Sequence, residues 1–409
     1  MKYFKNVELA RIYHISEKSV RNWIEATEGG KLNLELFDKN GRRYIANNNK
    51  NHLLITELVQ KGQKYKNSRS QKTIVPTPEF YELFNEKQVL DIISSIDIHR
   101  EIPSQYGYFD GGATYWDKYS KKLVEEEAPN LLNSTLQLLK DNYASILRYS
   151  GNPQRVNVID LGVGNCLPIR DFLATLHNQK LLGSYVGLDL SPNILEIAQQ
   201  NLAEWFKGEV TMEAHVRDIC YERFEDLFRR KPHDDEAEKS SANIAFLLGG
   251  TLTNVRRPDH ALQVINDSLG RSDLFVYALK LDSEASRRYF DFDVEAKIQH
   301  LTKLDRLPLD LLGIEPSMYE VEQFFDPKKR SRLIQIRLKT DLSISFTPRY
   351  GSLHLTKGEQ ILLWRSYHQS GIEVINQLDR AGFDVLQVTK SLDKEYLLTI
   401  SKIKTGINQ

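Results

Sequence analysis

Residues 156–165 read VNVIDLGVGN, and no other stretch of the chain restricts the fold as strongly. Val156, Val158, Ile159 and Leu161 are apolar, Asp160 interrupts them, and Gly162 and Gly164 precede a helical pattern that begins near Ile169. A short apolar run closed by glycines predicts a buried strand entering a tight turn. Glycine lacks Cβ, so the turn can take positive φ and let the backbone lie against a bound molecule. Open α/β sheets bind ligands at the carboxyl ends of their strands, which puts Asp160 beside the crevice. The same ten residues would also serve as an ordinary strand-to-helix turn, so the flanking strands must decide.

They decide for a ligand site. Ser184–Leu188 is a second apolar run and ends on Asp189, 25 residues past Gly164. Val210–Val216 leads to Asp218, Asn243–Leu248 leads to Gly249 and Gly250, and Leu274–Leu281 reads as a fifth strand. Successive strands that deliver carboxylates and glycines to one sheet edge predict an α/β fold built around a cofactor crevice.

DLGVGN, then LDLSPNIL, then RDI resembles the cofactor half of a class I S-adenosylmethionine-dependent methyltransferase, with a short GxG turn. Within that superfamily, FLLGGTLTN (246–254), GEQILLWRS (358–366) and AGFDVLQ (381–387) resemble the histidine-specific N-alpha-methyltransferase family of ergothioneine biosynthesis. The resemblance spans residues 102–403. It implies a Rossmann-like sheet with a helical N-terminal extension and a substrate-binding insertion, and S-adenosyl-L-methionine as cofactor. Gly162 and Gly164 would then pass along the methionine part, with Asp160 on its amino group. Asp189 would accept both ribose hydroxyls, which suits a carboxylate because it takes two hydrogen bonds at once. Asp218 and the Ile219 amide would read the adenine edge. The aromatic-rich stretch IPSQYGYFDGGATYWDKY (102–119), expected as a loop, would place Phe109 or Tyr108 against the methyl donor.

On the acceptor side the resemblance assigns Gly249 and Asn254 to the substrate's amino and carboxylate groups, and a tyrosine to the reacting amine. Tyr289 is that tyrosine in one register, and Phe290 takes its place in the other. No pattern demands a dedicated base, so Tyr289 or solvent would take the proton. The family's GExIxxExS pattern grips imidazole with its second acid and its serine. Here Ser366 matches the serine, but Trp364 stands where the acid belongs. An imidazole nitrogen buried without its carboxylate costs about 1 to 3 kcal/mol. The expected substrate is therefore an amino-acid-like small molecule other than histidine, with an aromatic or less polar side chain fitting better.

A chain of 409 residues suggests two or three structural units. Lys and Arg total 55 and Asp and Glu total 55, so no global charge draws the chain to nucleic acid or to a membrane surface. Two cysteines, Cys166 and Cys220, cannot build a disulfide framework and lack ligand spacing for zinc. His233, Asp234, Asp235 and Glu236 are adjacent on a charged loop and do not make a metal site. No run reaches the ~18 apolar residues of a membrane span, and the expectation is a soluble cytoplasmic protein.

The units expected in order are a small domain at 1–60, a basic linker at 61–78, a helical lead-in at 79–150, the cofactor core at 151–283, a substrate-binding insertion at 284–357 that is helical over 284–326, where it roofs the site, and forms antiparallel strands over 333–346, and a sheet closure at 358–409. In the first, Val7, Leu9, Ala10 and Ile12 make a helix opened by Asn6, and Ser16 caps a second helix carrying Val20, Trp23 and Ile24. A strand through Leu32, Leu34 and Leu36 and the turn Asn40–Gly41 follow. This resembles the winged helix-turn-helix of the MerR and excisionase type. The resemblance implies DNA as a partner, through Lys18, Arg21 and Asn22 on the second helix and Arg42 and Arg43 on the wing, and a homodimer. The lesser alternative is a helical protein-interaction module with solvated charges. The alternative function is a DNA-binding transcriptional regulator whose methyltransferase-like domain senses a ligand without turning it over.

Overall fold

The computed structural model describes residues 3–13, 15–70, 72–126, 130–227, 241–282, 300–347 and 349–405, with backbone only over 60–70. The chain divides into two compact units, 1–73 with 340–343, and 74–339 with 344–409.

In the first unit, α1 (Asn6–Ile12) and α2 (Glu17–Glu28) are followed by a hairpin of β1 (Leu36–Lys39) and β2 (Arg42–Ile45), then α3 (Asn49–Ser70). Ser16 caps α2 as expected, its Oγ accepting from the Ser19 amide at 3.1 Å. Lys5, not Asn6, holds the cap position of α1, and Val7 and Ile12 face solvent while Leu9 and Ala10 join the core. That core is completed by Val20, Ile24, Leu34, Ile45 and Ile55. The first strand begins at Leu36 rather than Leu32. Asn40 and Gly41 both take positive φ, the conformation a two-residue hairpin turn requires. Buried Asn51 ties α3 to the hairpin by donating to the Glu35 and Ala46 carbonyls, each at 2.8 Å. The expected linker is helical as far as Ser70. Its Lys, Gln and Arg residues are good helix formers, and basic composition alone breaks no helix.

The short strand β3 (Lys72–Ile74) falls at the boundary at residue 73, and the second unit goes on with helices α4 (Pro78–Leu83), α5 (Glu86–His99), α6 (Asp110–Glu125) and α7 (Leu131–Tyr149). The expected loop at 100–119 is therefore mostly helix. Gly111 and Gly112 read as breakers, but Gly112 is required by packing, since a Cβ there would lie 1.8 Å from the Gly107 carbonyl.

Strand and helix then alternate: β4 (Arg155–Leu161), α8 (Arg170–Asn178), β5 (Leu182–Asp189), α9 (Pro192–Phe206), β6 (Glu213–Val216), β7 (Ser241–Leu248), α10 (Thr251–Asn254), α11 (Pro258–Ser268) and β8 (Leu274–Lys280). After α12 (Lys303–Leu311), β9 (Tyr319–Asp326), β10 (Ser331–Leu338), β11 (Leu342–Ser345), β12 (Ser352–Leu355) and β13 (Gln360–Tyr367) come α13 (Gly371–Arg380), β14 (Phe383–Lys390) and β15 (Tyr396–Ile403).

Seven strands form one sheet in the order β14-β15-β8-β7-β4-β5-β6. Pairings among β6, β5, β4, β7 and β8 are parallel, and β15 runs antiparallel between β8 and β14. Both faces are covered, as a parallel sheet requires. Val158, Tyr185, Ile244 and Val276 pack with side chains of α7, α8 and α9, whereas Ile159, Val186, Leu247 and Tyr277 pack with α11 and α13. The order reverses at β4, whose neighbours are β5 and β7, so the crevice at its carboxyl end is the place where this fold binds ligands.

A second sheet, β13-β10-β9, takes β10 from the stretch expected as antiparallel strands and β9 from the stretch expected as helix. Within 284–326 the described residues hold α12, and Tyr319–Asp326 is strand rather than helix. Tyr319 and Val321 alternate with Glu320 and Glu322 at the start of that strand, a period of two rather than 3.6. Tyr289 and Phe290 lie outside the described residues, as does the charged stretch at 233–236.

Candidate active site

The glycine turn after β4 is the floor of the site. Gly162 and Gly164 take φ of +68° and +54°, and Cys166 follows at +66°. The Gly162 and Val163 amides donate to the Leu188 carbonyl at 2.8 and 3.0 Å, which draws the turn over the end of β5. There Asp189 accepts from the Ser191 amide at 3.0 Å and the Gly164 amide at 3.4 Å. Burial pushes the Asp189 carboxyl up to about 6, although backbone amides of Ser191, Gly164 and Leu190 pull it back. Asp160 is buried, and burial likewise pushes it up to about 7 against the Tyr185 hydroxyl, which donates to it at 3.0 Å. Two carboxyls of raised proton affinity thus lie at the ends of β4 and β5.

Asp218 lies in the turn after β6, where its carboxylate accepts from the Cys220 amide at 2.9 Å. Burial raises its proton affinity. Ile219 beside it is buried, and its Cδ1 comes within 3.9 Å of where a Gly162 Cβ would stand. Asp160, Gly162, Gly164, Asp189, Asp218 and Ile219 therefore gather at the ends of three adjacent strands, as expected. Gly249, at the end of β7, has φ of +107° and open space where a Cβ would point. Asn254 closes α10 and sits in a cleft with Asp91, Glu101, Gln105, Tyr221 and Arg256.

Phe109 does not face the crevice. It is fully buried, with its ring centroid 5.0 Å from that of Phe84 in an edge-on contact. Tyr108 is the aromatic that looks toward Asp189, whose charge with that of Asp305 adds to burial in raising the proton affinity of the phenol. It meets Trp116 edge-on at 5.5 Å, and Trp116 Nε1 lies 3.6 Å from the position of a Gly164 Cβ. The sequence put both rings in one stretch, but only the start of α6 at Asp110 determines which one turns inward.

A clamp not foreseen from sequence holds α6 on the turn. Asp117 accepts from the side-chain amides of Asn165 and Asn201, each at 3.0 Å, and pairs with Lys121 at 2.9 Å. Burial raises the Asp117 carboxyl, but these partners outweigh it and hold it below the usual carboxylate range.

Trp364 and Ser366 share one face of β13, opposite Ile334 and Arg332 of β10, after a register shift that skips Leu363. The Arg332 guanidinium lies 5.5 Å from the Trp364 ring centroid. That face offers a cation and an aromatic plate where the family pattern has a carboxylate. Arg365, between them, points to the other face and pairs with Glu101.

In the first unit, Lys18, Arg21 and Asn22 are all exposed on α2, and Arg42 is exposed at the hairpin. Arg43 is exposed as well, yet lies 3.5 Å from Asp38 and 3.9 Å from Glu28, so part of its charge is matched locally.

A parallel sheet with its order switching at β4, positive-φ glycines in the turn there and carboxylates at the ends of β4, β5 and β6 has the architecture of a class I methyltransferase. The family model described as "Histidine-specific methyltransferase, SAM-dependent" matches residues 85–402. The chain belongs to that family and is an S-adenosylmethionine-dependent methyltransferase.

Similar solved structures include the magnesium protoporphyrin IX methyltransferase of Synechocystis PCC 6803 with bound SAH, at 8% identity over 78% of this chain and 100% of that one, TM-score 0.39. An S-adenosylmethionine-dependent methyltransferase of Clostridium acetobutylicum is 8% identical over 71% of this chain and 99% of its own, TM-score 0.38. An amino pentose methyltransferase of Micromonospora echinaspora is 10% identical over 71% and 97%, TM-score 0.34. No curated protein sequence matches the chain. Among the described residues no helix is long and apolar enough to cross a membrane.

Proposed function

We propose that the enzyme methylates the amino nitrogen of an amino-acid-like small molecule other than histidine. Trp364 in place of the imidazole-binding acid carries this reading. Its ring is already engaged by Arg332 and accepts no imidazole N–H as a carboxylate would. Asn254, in a cleft beside the turn after β7, supports an acceptor with an amino acid's head, since one amide donates and accepts together.

S-adenosylmethionine supplies a methyl group activated on a sulfonium. Asp189 and Asp218 hold the donor's ribose and adenine ends, and the Gly162–Gly164 turn lets the backbone lie along its methionine end. Tyr108 and Trp116 wall that end off from water. Gly249 and Asn254 would hold the acceptor's amino and carboxylate groups and so orient the amine toward the methyl group. The amine's proton leaves to solvent or to Tyr289. Orientation and exclusion of water then provide most of the acceleration. A panel of amino acids incubated with enzyme and methyl donor, read by mass spectrometry, tests the proposal. Methylation of a non-histidine amino acid above the histidine rate supports it, and histidine as the preferred acceptor overturns it.

We also infer that the first unit binds DNA. The exposed Lys18, Arg21 and Asn22 on one helix, followed by a hairpin with Arg42, support that reading. Electrophoretic mobility shift with random-sequence duplex, repeated across salt, is the test. Binding that weakens steeply with salt is expected, and no shift at low salt contradicts it.

A further inference from the structure

The cleft holding Asn254 is charged in a way that the family pattern does not explain. Glu101, Arg256 and Arg365 come together there from three segments of the second unit. Glu101 is buried and takes a hydrogen bond from Arg365 Nη2, while Arg256 Nη1 stands 3.8 Å from the same carboxylate oxygen. Arg365 Nη1 also donates to the Tyr367 hydroxyl at 3.2 Å. The side chains of Arg256, Arg365 and Glu101 are 24%, 12% and 9% exposed. Two guanidinium groups thus share one carboxylate in a half-dry site, leaving a positive charge uncompensated.

The hydrogen-bond inventory shows the same surplus. Arg256 Nε and Nη1 and Arg365 Nε are shielded from solvent and find no hydrogen-bond partner among the described residues. Covered donors of this kind are costly unless a ligand satisfies them. Covered guanidinium N–H groups without partners offer charge-assisted hydrogen bonds to a carboxylate or other oxyanion. Asp91 lies on the same cleft, and the Tyr106 hydroxyl donates to it at 2.8 Å. Its repulsion keeps an anion at the arginine end.

We propose that Arg256 and Arg365 form an anion subsite, and that the acceptor is an amino acid whose side chain ends in a second acidic group. This rests on the proposed amino acid acceptor and names its class. It also departs from the apolar side chain that Trp364 alone suggested, since Trp364 lies on the opposite face of β13 from Arg365. Asn254 takes the common head of the amino acid, and the arginine pair reads the distal charge.

The test is calorimetric titration of the full chain, saturated with S-adenosylhomocysteine, with glutamate, aspartate, glutamine, asparagine and tryptophan, and mass-spectrometric detection of methylation with the active donor. The expected result is that an acid binds at least about tenfold more tightly than its amide, the worth of one charge-assisted hydrogen bond. In Arg256→Gln that preference collapses, and Arg256→Lys restores part of it. Equal affinity for acid and amide, or preference for tryptophan, overturns the subsite while leaving the amino acid acceptor standing. If no amino acid, charged or neutral, is bound or methylated, both proposals fall. Selectivity of the unmodified protein decides the matter even if a variant fails to fold.

Discussion

At the residue scale the account turns on Asp189. An aspartate free in an unfolded chain titrates near 3.9, while Asp189 and Asp160 are pushed by burial up to about 6 and about 7. Because both folded values are raised, each group contributes stability that is full below pH about 4 and is lost as pH rises through 6 to 7. In the proposed site, ribose hydroxyls would donate to the ionised carboxylate, so donor binding would have the opposite dependence. We expect the affinity for S-adenosylhomocysteine to fall roughly tenfold per pH unit below about 6, and Asp189→Asn to remove both most of the affinity and this pH dependence. Isothermal titration from pH 5 to 8 measures it, with circular dichroism to show that the variant folds. Gly162→Ala should cost roughly 1 to 2 kcal/mol, the penalty of left-handed backbone for a residue with Cβ. The added methyl would also stand 3.2 Å from Thr251 Oγ1. A thermal melt unchanged from the parent would contradict that reading.

At the scale of elements, α6 is the part of the site that the sequence hid. The strands leading to Asp160, Asp189, Asp218 and Gly249 were legible because apolar runs bounded by glycine and aspartate have a local cause. The fold of 100–119 was not, because Gly107 and Gly112 are selected by close backbone approach across the structure, and a glycine needed for packing reads like a glycine needed for a turn. The Asp117 clamp escaped for the same reason, as its partners Asn165 and Asn201 lie on other elements and no spacing announces them. Likewise β9 departs from the helix expected over 284–326, and Arg365 reaches Glu101 because of the face it takes on β13 after the register shift at Leu363. Asp117→Asn should release α6 from the glycine turn. The expected outcome is faster dissociation of S-adenosylhomocysteine in stopped-flow measurements with the melting temperature little changed; an unaltered off-rate would show that α6 plays no part in retaining the donor.

At the scale of the whole molecule, a chain with zero net charge carries its charges in local patterns. In the first unit, Lys18 and Arg21 are exposed, whereas Arg43 is partly matched by Asp38 and Glu28. DNA affinity should therefore drop more for Arg21→Ala than for Arg43→Ala, by fluorescence anisotropy at fixed salt, and the reverse order would move the contact to the hairpin. In the second unit, the topological switch at β4 fixes where the donor binds, and the family match over 85–402 gives the chemistry. The acceptor is the open term. The most direct measurement is calorimetric titration of the intact protein with S-adenosylhomocysteine, alone and in the presence of glutamate, tryptophan and histidine. The account predicts one donor site per chain, tightened by an amino acid other than histidine. No heat with S-adenosylhomocysteine under any condition would contradict it.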